Sequence, residues 1–179
     1  MSDERAGYAT RRIERADPPC GFTCGKHPLD DYFRWHAFAN DAAGIGRAYV
    51  LPRGPEDAAT APAVLGFYTL SMALVASAEV APHLTDKLPK YPLPVALIGR
   101  LAVDERATAS RIGERLLVDA MKRVVDAAEL VGCVGLVVDA KDESAEAFYA
   151  KYDLASLETG SWPRRMFIAL ATRRAALGR

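Results

Sequence analysis

An excess of charge of either sign is missing: the 179 residues carry 23 Lys and Arg against 23 Asp and Glu. Net neutrality excludes a protein that grips nucleic acid through an overwhelming global positive charge, and leaves any such contact to a local basic patch. Cysteine is scarce, with only Cys20, Cys24 and Cys133. An odd number of thiols without a secretory context argues against a disulfide framework and for a reducing compartment. Cys20, Cys24 and His27 make a Cys-x3-Cys-x2-His cluster, but a structural zinc takes four ligands, usually as two separated pairs. No second pair follows, so no metal is expected. The most apolar long stretch, 61–81, is interrupted by Thr69, Ser71, Ser77 and Glu79, which suits buried strands and argues against a membrane span. The opening MSDERAGYATRR lacks the apolar run of a signal peptide, and a cytoplasmic location is expected. Gly and Pro, at 13 and 11 residues, are near average abundance, which excludes collagen-like and globally disordered chains.

What is present reads as one α/β domain over residues 1–172, followed by a basic tail, 173–179. Tyr8–Arg15 has the character of a first strand. CGFTCGKHPLDDYFRWHAFANDAAG then reads as a loop and one helix, with Pro28 in its first turn, Asp30 and Asp31 at its positive end and Gly44 at its exit. Leu29, Tyr32, Phe33, His36 and Ala37 recur at three and four and form its apolar face. A strand, Arg47–Leu51, and a Pro-rich turn lead into a long strand, Val64–Val75. Four prolines make 81–94 a rigid connector to a buried strand, Val95–Val103. From Ser110 to Val131 a stripe of Ile112, Leu116, Leu117, Ala120, Met121, Val124, Val125 and Ala128 predicts a helix ending at Gly132. A continuous apolar strand, Cys133–Val138, a helix, Glu143–Lys151, and a late strand, Arg165–Ala171, follow. The strand, helix, strand unit joining Val95–Val103 to Cys133–Val138 is parallel by the crossover rule.

Parallel strands bind ligands beyond their carboxyl ends, beside the helix that follows. That singles out AVDERATASRIGE (102–114) and DAKDESAEAFYA (139–150). Amides at Arg111, Ile112 and Gly113, with the charges of Arg106 and Arg111, suit a phosphate. The competing reading is a helix start with solvated charges. Tyr149 falls among Ala145, Phe148 and Tyr152 at helical spacing, which by itself describes a core aromatic. Gly44-Ile-Gly46 is too short for a phosphate loop, and His27, His36 and His83 are scattered.

GRLAVDERATASRIGERLLVDAM and GLVVDAKDESAEAFYAKYDL together resemble the core of the GNAT acetyltransferase superfamily, in particular its branch of type II toxins that acetylate aminoacyl-tRNA. FTCGKHPLDDYF (Phe22–Phe33) answers that branch's FxCGxxxLDxF segment, and GFYTLS (Gly66–Ser71) its GYYTLS-like strand. The resemblance runs from about Phe22 to Leu170. It implies a GNAT fold: a mixed central sheet with a splayed parallel strand pair and flanking helices. It further implies acetyl-CoA as cosubstrate, with the pantetheine arm on the backbone of Leu101, Ala102 and Val103. The pyrophosphate is then held by the loop and helix start formed by Thr108, Ala109, Ser110, Arg111, Ile112, Gly113 and Glu114. Tyr149 of the FY motif is implied as the catalytic residue, lending a proton to the departing thiolate. Aminoacyl-tRNA is the implied substrate, a ribbon-helix-helix antitoxin and a second copy of the chain the implied partners.

The chain departs from the family pattern in its loop, with Thr108 where Gln or Arg is usual and Arg111 where the first Gly is usual. It departs again at Asp153-Leu154, where Gly-Phe is usual. Two alternatives therefore stand beside the toxin reading: an acetyltransferase acting on a small-molecule or protein amine, and a non-catalytic GNAT-like protein whose loop no longer takes CoA. Arg34, Arg47, Lys90, Arg164 and Arg165 are the candidates for a tRNA-binding patch. The arginines from Arg173 onward fit a solvated tail equally well.

Overall fold

The computed structural model describes residues 9–55, 57, 59–84 and 87–171. In chain order the elements are β1 (Arg11–Arg12), α1 (His27–Trp35), α2 (Ala37–Ala42), β2 (Arg47–Pro52), β3 (Val64–Val75), α3 (Ser77–Val80), β4 (Leu93–Val103), α4 (Ile112–Ala127), β5 (Gly135–Ala140), α5 (Glu143–Ala150), β6 (Ala155–Ser156) and β7 (Arg164–Ala169). The strands follow the order β1-β2-β3-β4-β5-β7-β6. β1 with β2 and β2 with β3 are antiparallel, β4 with β5 is parallel, and β7 returns antiparallel to both β5 and β6. This is the expected mixed α/β sheet. The parallel register runs only from Ala96 opposite Leu136 to Ile98 opposite Val138.

The chain divides into two compact units, one from the chain up to Leu70 with Arg100–Ala120, the other from Ser71–Gly99 with the chain from Met121 onward. The core of the first gathers around Phe67, which is fully buried. Phe33 and Phe22 meet its ring at 4.7 and 5.4 Å between centroids, and Tyr32 stacks at 6.4 Å. Aromatic contacts of this kind add about 0.5–1.5 kcal/mol each beyond area burial. Gly66 lets β3 approach α4 closely, since a Cβ there would lie 2.7 Å from Leu116 Cδ1 and 2.9 Å from the Ala102 carbonyl oxygen. The second unit packs Val75, Val80, Leu93, Val95, Val137, Phe167 and Ala169 together.

β3 has the expected bounds, and the other elements differ in instructive ways. The expected single helix after the loop is two, because His36 leaves helical geometry at φ −122° and ψ −29°. Its N–H still closes α1 on Tyr32 C=O and its C=O starts α2 through Asn40 N–H. The break exposes His36, which the periodicity had placed on the apolar face, and buries Ala37 completely. Gly44 does close this region, at φ 74° with its N–H on Asp41 C=O at 3.1 Å, the left-handed exit only glycine takes without strain. α4 stops at Ala127, before the expected Val131: Leu130 and Val131 are 88% and 52% exposed, so no packing holds a further turn. The connector after β3 contains the short α3 and a 3-10 turn, Ala81–His83. β5 starts two residues later than expected and reaches Ala140, while β1 is only Arg11–Arg12; Tyr8 lies outside the described residues. β7 begins at Arg164 and ends at Ala169, earlier than expected at both ends, and the two-residue β6 was not anticipated.

Candidate active site

In the first unit the carboxyl end of β4 runs into Asp104, whose side chain is completely buried. Its two oxygens accept four hydrogen bonds. Oδ1 takes the Arg106 N–H at 3.0 Å and Arg106 Nε at 2.8 Å; Oδ2 takes Arg106 Nη2 at 2.8 Å and the Thr23 N–H at 3.1 Å. Burial pushes this carboxyl up, but the bonds from Arg106 and Thr23 outweigh it and hold the group below the usual carboxylate value. Asp104 thereby caps a 3-10 segment, Glu105–Ser110, that includes Thr108, Ala109 and Ser110. The Glu105 N–H reaches back to Thr23 C=O at 2.9 Å, and Arg106 Nη2 to Gly21 C=O at 3.0 Å.

These bonds explain the FTCGKHPLDDYF segment. Phe22 and Phe33 anchor it in the core, while Asp30 accepts from the Cys24 N–H at 2.7 Å and from Thr23 Oγ1 at 3.1 Å. The segment is a bracket that fixes where β4 ends and its loop begins. Arg106 is engaged with Asp104, so its expected role as a phosphate cation is corrected to a structural one. Asp104 itself was not anticipated as a site residue; an Asp directly before a helical turn was the available signal.

After this segment Arg111 takes φ 55° and ψ 30°, the left-handed region, before α4 begins at Ile112. A loop in which Arg replaces the usual Gly thus keeps the backbone shape that glycine favours, at a cost of roughly 1–2 kcal/mol. The side chain does not fill the loop: it is 80% exposed and pairs with Glu114, Nη2 to Oε2 at 2.5 Å. The first bond into α4 runs from the Arg115 N–H to Arg111 C=O at 3.2 Å. The amides of Ile112, Gly113 and Glu114 precede that bond and so stand in the first turn, where a helix leaves its N–H groups without intrahelical acceptors. Leu101, Ala102 and Val103 are the last three residues of β4, directly before Asp104.

In the second unit α5 begins directly after β5, capped by Asp142, whose Oδ1 accepts the Ala145 N–H at 2.8 Å. Tyr149 lies near its far end, half-buried, with its ring edge-on to Phe148 at 5.2 Å. Burial pushes its hydroxyl up to about 12, so the phenol is fully protonated at neutral pH. Among the described residues that hydroxyl makes no hydrogen bond, which is uncommon for a largely desolvated phenol and leaves it available to a ligand. One turn earlier Glu146 accepts from Arg164 Nη1 at 3.0 Å and from Ser156 Oγ, tying α5 to β7 and β6. Asp153, just beyond α5, has φ 67°, the second position where Gly is usual and a left-handed residue stands.

The candidate tRNA-binding cations fare unevenly. Arg164 and Arg165 are paired with Glu146 and Asp139 at 3.0 and 2.8 Å, and Arg47 donates to Asp41 C=O at 2.8 Å. Arg34 is within 5.9 Å of the exposed Trp35 ring, and Lys90 is exposed. The arginines from Arg173 lie outside the described residues. Among the described residues no group of three or more His, Cys, Asp and Glu is placed to hold a metal ion, and no helix is long and apolar enough to cross a membrane.

No protein-family model matches the chain. A tRNA-acetylating toxin of Mycobacterium tuberculosis is 36% identical over 174 residues, spanning 97% of this chain and 99% of the relative. Two solved structures are similar over nearly their whole length. AtaTR bound with acetyl-CoA is 26% identical with a TM-score of 0.77, covering 96% of this chain and 98% of that one. A Tyr-to-Phe mutant of the toxin AtaT, bound to the C-terminus of the antitoxin AtaR, is 25% identical with a TM-score of 0.78, covering 97% and 99%.

Proposed function

Because the chain belongs to the tRNA-acetylating toxin branch of the GNAT acetyltransferases, we propose that it moves the acetyl group of acetyl-CoA onto the amino group of an aminoacyl-tRNA. The observation that carries the reading is Tyr149: a protonated, half-buried phenol with no protein partner among the described residues, in the FY motif of α5. Acetyl-CoA, when bound, supplies an acyl group activated as a thioester. Leu101–Val103 hold its pantetheine arm, and the loop Thr108–Gly113 with the amides of Ile112, Gly113 and Glu114 receives the pyrophosphate. The left-handed backbone of Arg111 supports this, since the substituted loop keeps a glycine-like course.

Tyr149 donates its proton to the sulfur as the C–N bond forms and the C–S bond breaks. Its pKa of about 12 lies roughly 3.5 units above an ordinary thiol, so free transfer to a thiolate is uphill by about 5 kcal/mol. The phenolate is accordingly short-lived and recaptures the proton lost by the attacking amine. Over one turnover the amine proton ends on sulfur and Tyr149 is again a phenol.

Residues 1–172 form the acetyltransferase domain in this reading, supported by relatives that match along the whole chain, and 173–179 are its basic tail. A cytoplasmic location, a homodimer and an antitoxin of ribbon-helix-helix type complete it, the antitoxin supported by the AtaT complex with AtaR. Radiolabelled acetyl-CoA tests the substrate. Label should appear on aminoacyl-tRNA, leave with the amino acid when the ester is hydrolysed, and be absent from deacylated tRNA. Label on polyamines or peptides with unmodified aminoacyl-tRNA selects the small-amine or protein-amine reading; no calorimetric heat with acetyl-CoA selects the non-catalytic one.

A further inference from the structure

The second unit presents an arrangement that neither core packing nor the acid chemistry requires. Trp162 is 38% exposed, and the Arg164 guanidinium carbon lies 4.2 Å from its ring centroid. That guanidinium is itself pinned, Nε donating to Gly160 C=O and Nη1 to Glu146 Oε2, both at 3.0 Å. Glu146 stands three residues before Tyr149, so the two share one face of α5. A partly exposed indole backed by a hydrogen-bonded planar cation is thus linked, through Glu146, to the helical turn that carries Tyr149.

We propose that Trp162 and Arg164 form a stacking platform for the unpaired 3′ bases of the tRNA acceptor strand, an inference that rests on aminoacyl-tRNA being the substrate. Single-stranded RNA is held chiefly by base stacking on aromatic rings and guanidinium planes, which every base accepts. Pre-organisation of the indole by Arg164 removes part of the ordering cost of such a contact. The amino group to be acetylated is borne on the last nucleotide of this strand, so a platform joined to the Tyr149 turn positions the ester beside the acid. Arg164 acts through its plane: its charge is largely answered by Glu146, so the contact depends on stacking more than on salt.

The chain has only two tryptophans, Trp35 and Trp162, so a Trp35→Phe variant reports on Trp162 alone. An uncharged acceptor-stem minihelix ending in unpaired ACCA should quench that fluorescence saturably, and the same minihelix trimmed to a blunt end should not. Equal quenching by both, or none by either, overturns the platform. Trp162→Leu should raise KM for aminoacyl-tRNA about tenfold or more with acetyl-CoA affinity unchanged, and Trp162→Phe should recover most of it; an unchanged KM contradicts the proposal. The titration uses neither acetyl-CoA nor an amino acid. Quenching without any acetyl transfer to tRNA therefore sinks the enzymatic reading alone, and transfer without quenching sinks the platform alone.

Discussion

Replacing Asp104 by Asn is the sharpest probe of how the loop after β4 is held. The change keeps shape and volume but turns one acceptor oxygen into a donor. Each oxygen serves two donors, Oδ1 the N–H and Nε of Arg106, Oδ2 the Nη2 of Arg106 and the N–H of Thr23. Whichever oxygen is lost, two donors face a donor. Arg106, 48% exposed on its side chain, can turn its guanidinium to water. A backbone amide, of Thr23 or of Arg106, cannot follow it. A lost charge-assisted bond at about 1.5–3 kcal/mol and an unsatisfied amide at about 1–3 kcal/mol, discounted for the exposure of Arg106, give a loss near 3 kcal/mol. For a chain of this length that lowers Tm by roughly 6–12 °C, read by calorimetry at pH 7. The pH dependence is a second readout. The Asp104 carboxyl titrates below its usual value of 3.8 in the folded protein, so its stabilisation is present above 3.8 and is lost as pH falls through the depressed folded value. The gap between wild type and variant must narrow at low pH. A variant melting within about 1 °C of wild type at pH 7, or a gap of constant size down to low pH, would refute the assignment of Asp104 as the anchor of the loop.

Three further outcomes follow from the same geometry. Arg111→Gly relieves a left-handed non-glycine at about 1–2 kcal/mol, loses an exposed ion pair at a few tenths and adds unfolded-chain entropy at about 0.5–1 kcal/mol, so denaturant unfolding should show a gain of about 0.5 kcal/mol with acetyl-CoA binding retained; a loss of stability contradicts it. Tyr149, raised from 10.0 to about 12, makes the folded state bind its proton more tightly, so stability must fall as pH rises from 10 to 12, by at most about 2.7 kcal/mol. The melting difference between wild type and Tyr149→Phe across that range measures it, and a flat difference rejects it. Cys24 is raised from 9.0 to about 11 by burial and by its contact with Asp30, so at pH 8 its alkylation, followed by mass spectrometry, should run about tenfold slower than that of a simple thiol, the ~100-fold smaller thiolate fraction being partly offset by the greater nucleophilicity of the more basic thiolate; Asp30→Asn should speed it.

Much of the fold is legible in the residues because its signals are local. The stripe from Ile112 to Val125 is set by helical periodicity and the strand Val64–Val75 by its length and residue types; β3 has the expected bounds, and α4 carries the stripe although it ends at Ala127. The misses come from contacts distant in sequence. Nothing near His36 announces the break before Ala37, and the helix reads on to Val131 until the exposure of Leu130 and Val131 is seen. Arg164 and Arg165 read as free cations because Glu146 and Asp139 lie 18 and 26 residues away. The candidate site divides the same way. Tyr149 and the loop at Arg111 carry motif spacing, and Asp153 shows the left-handed backbone its replacement of Gly suggested. The four bonds that make Asp104 an anchor draw on Thr23, far back in the chain, and surface only in three dimensions.

In the proposed reaction the hydroxyl of Tyr149 carries the chemistry while other residues hold the cosubstrate. Single-turnover acetyl transfer to aminoacyl-tRNA by Tyr149→Phe, with acetyl-CoA affinity measured on the same sample, tests it most directly. The rate should fall by about 10²–10⁴ with unchanged affinity for acetyl-CoA; transfer at the wild-type rate by a folded, cosubstrate-binding variant would show that the Tyr149 hydroxyl is not the acid.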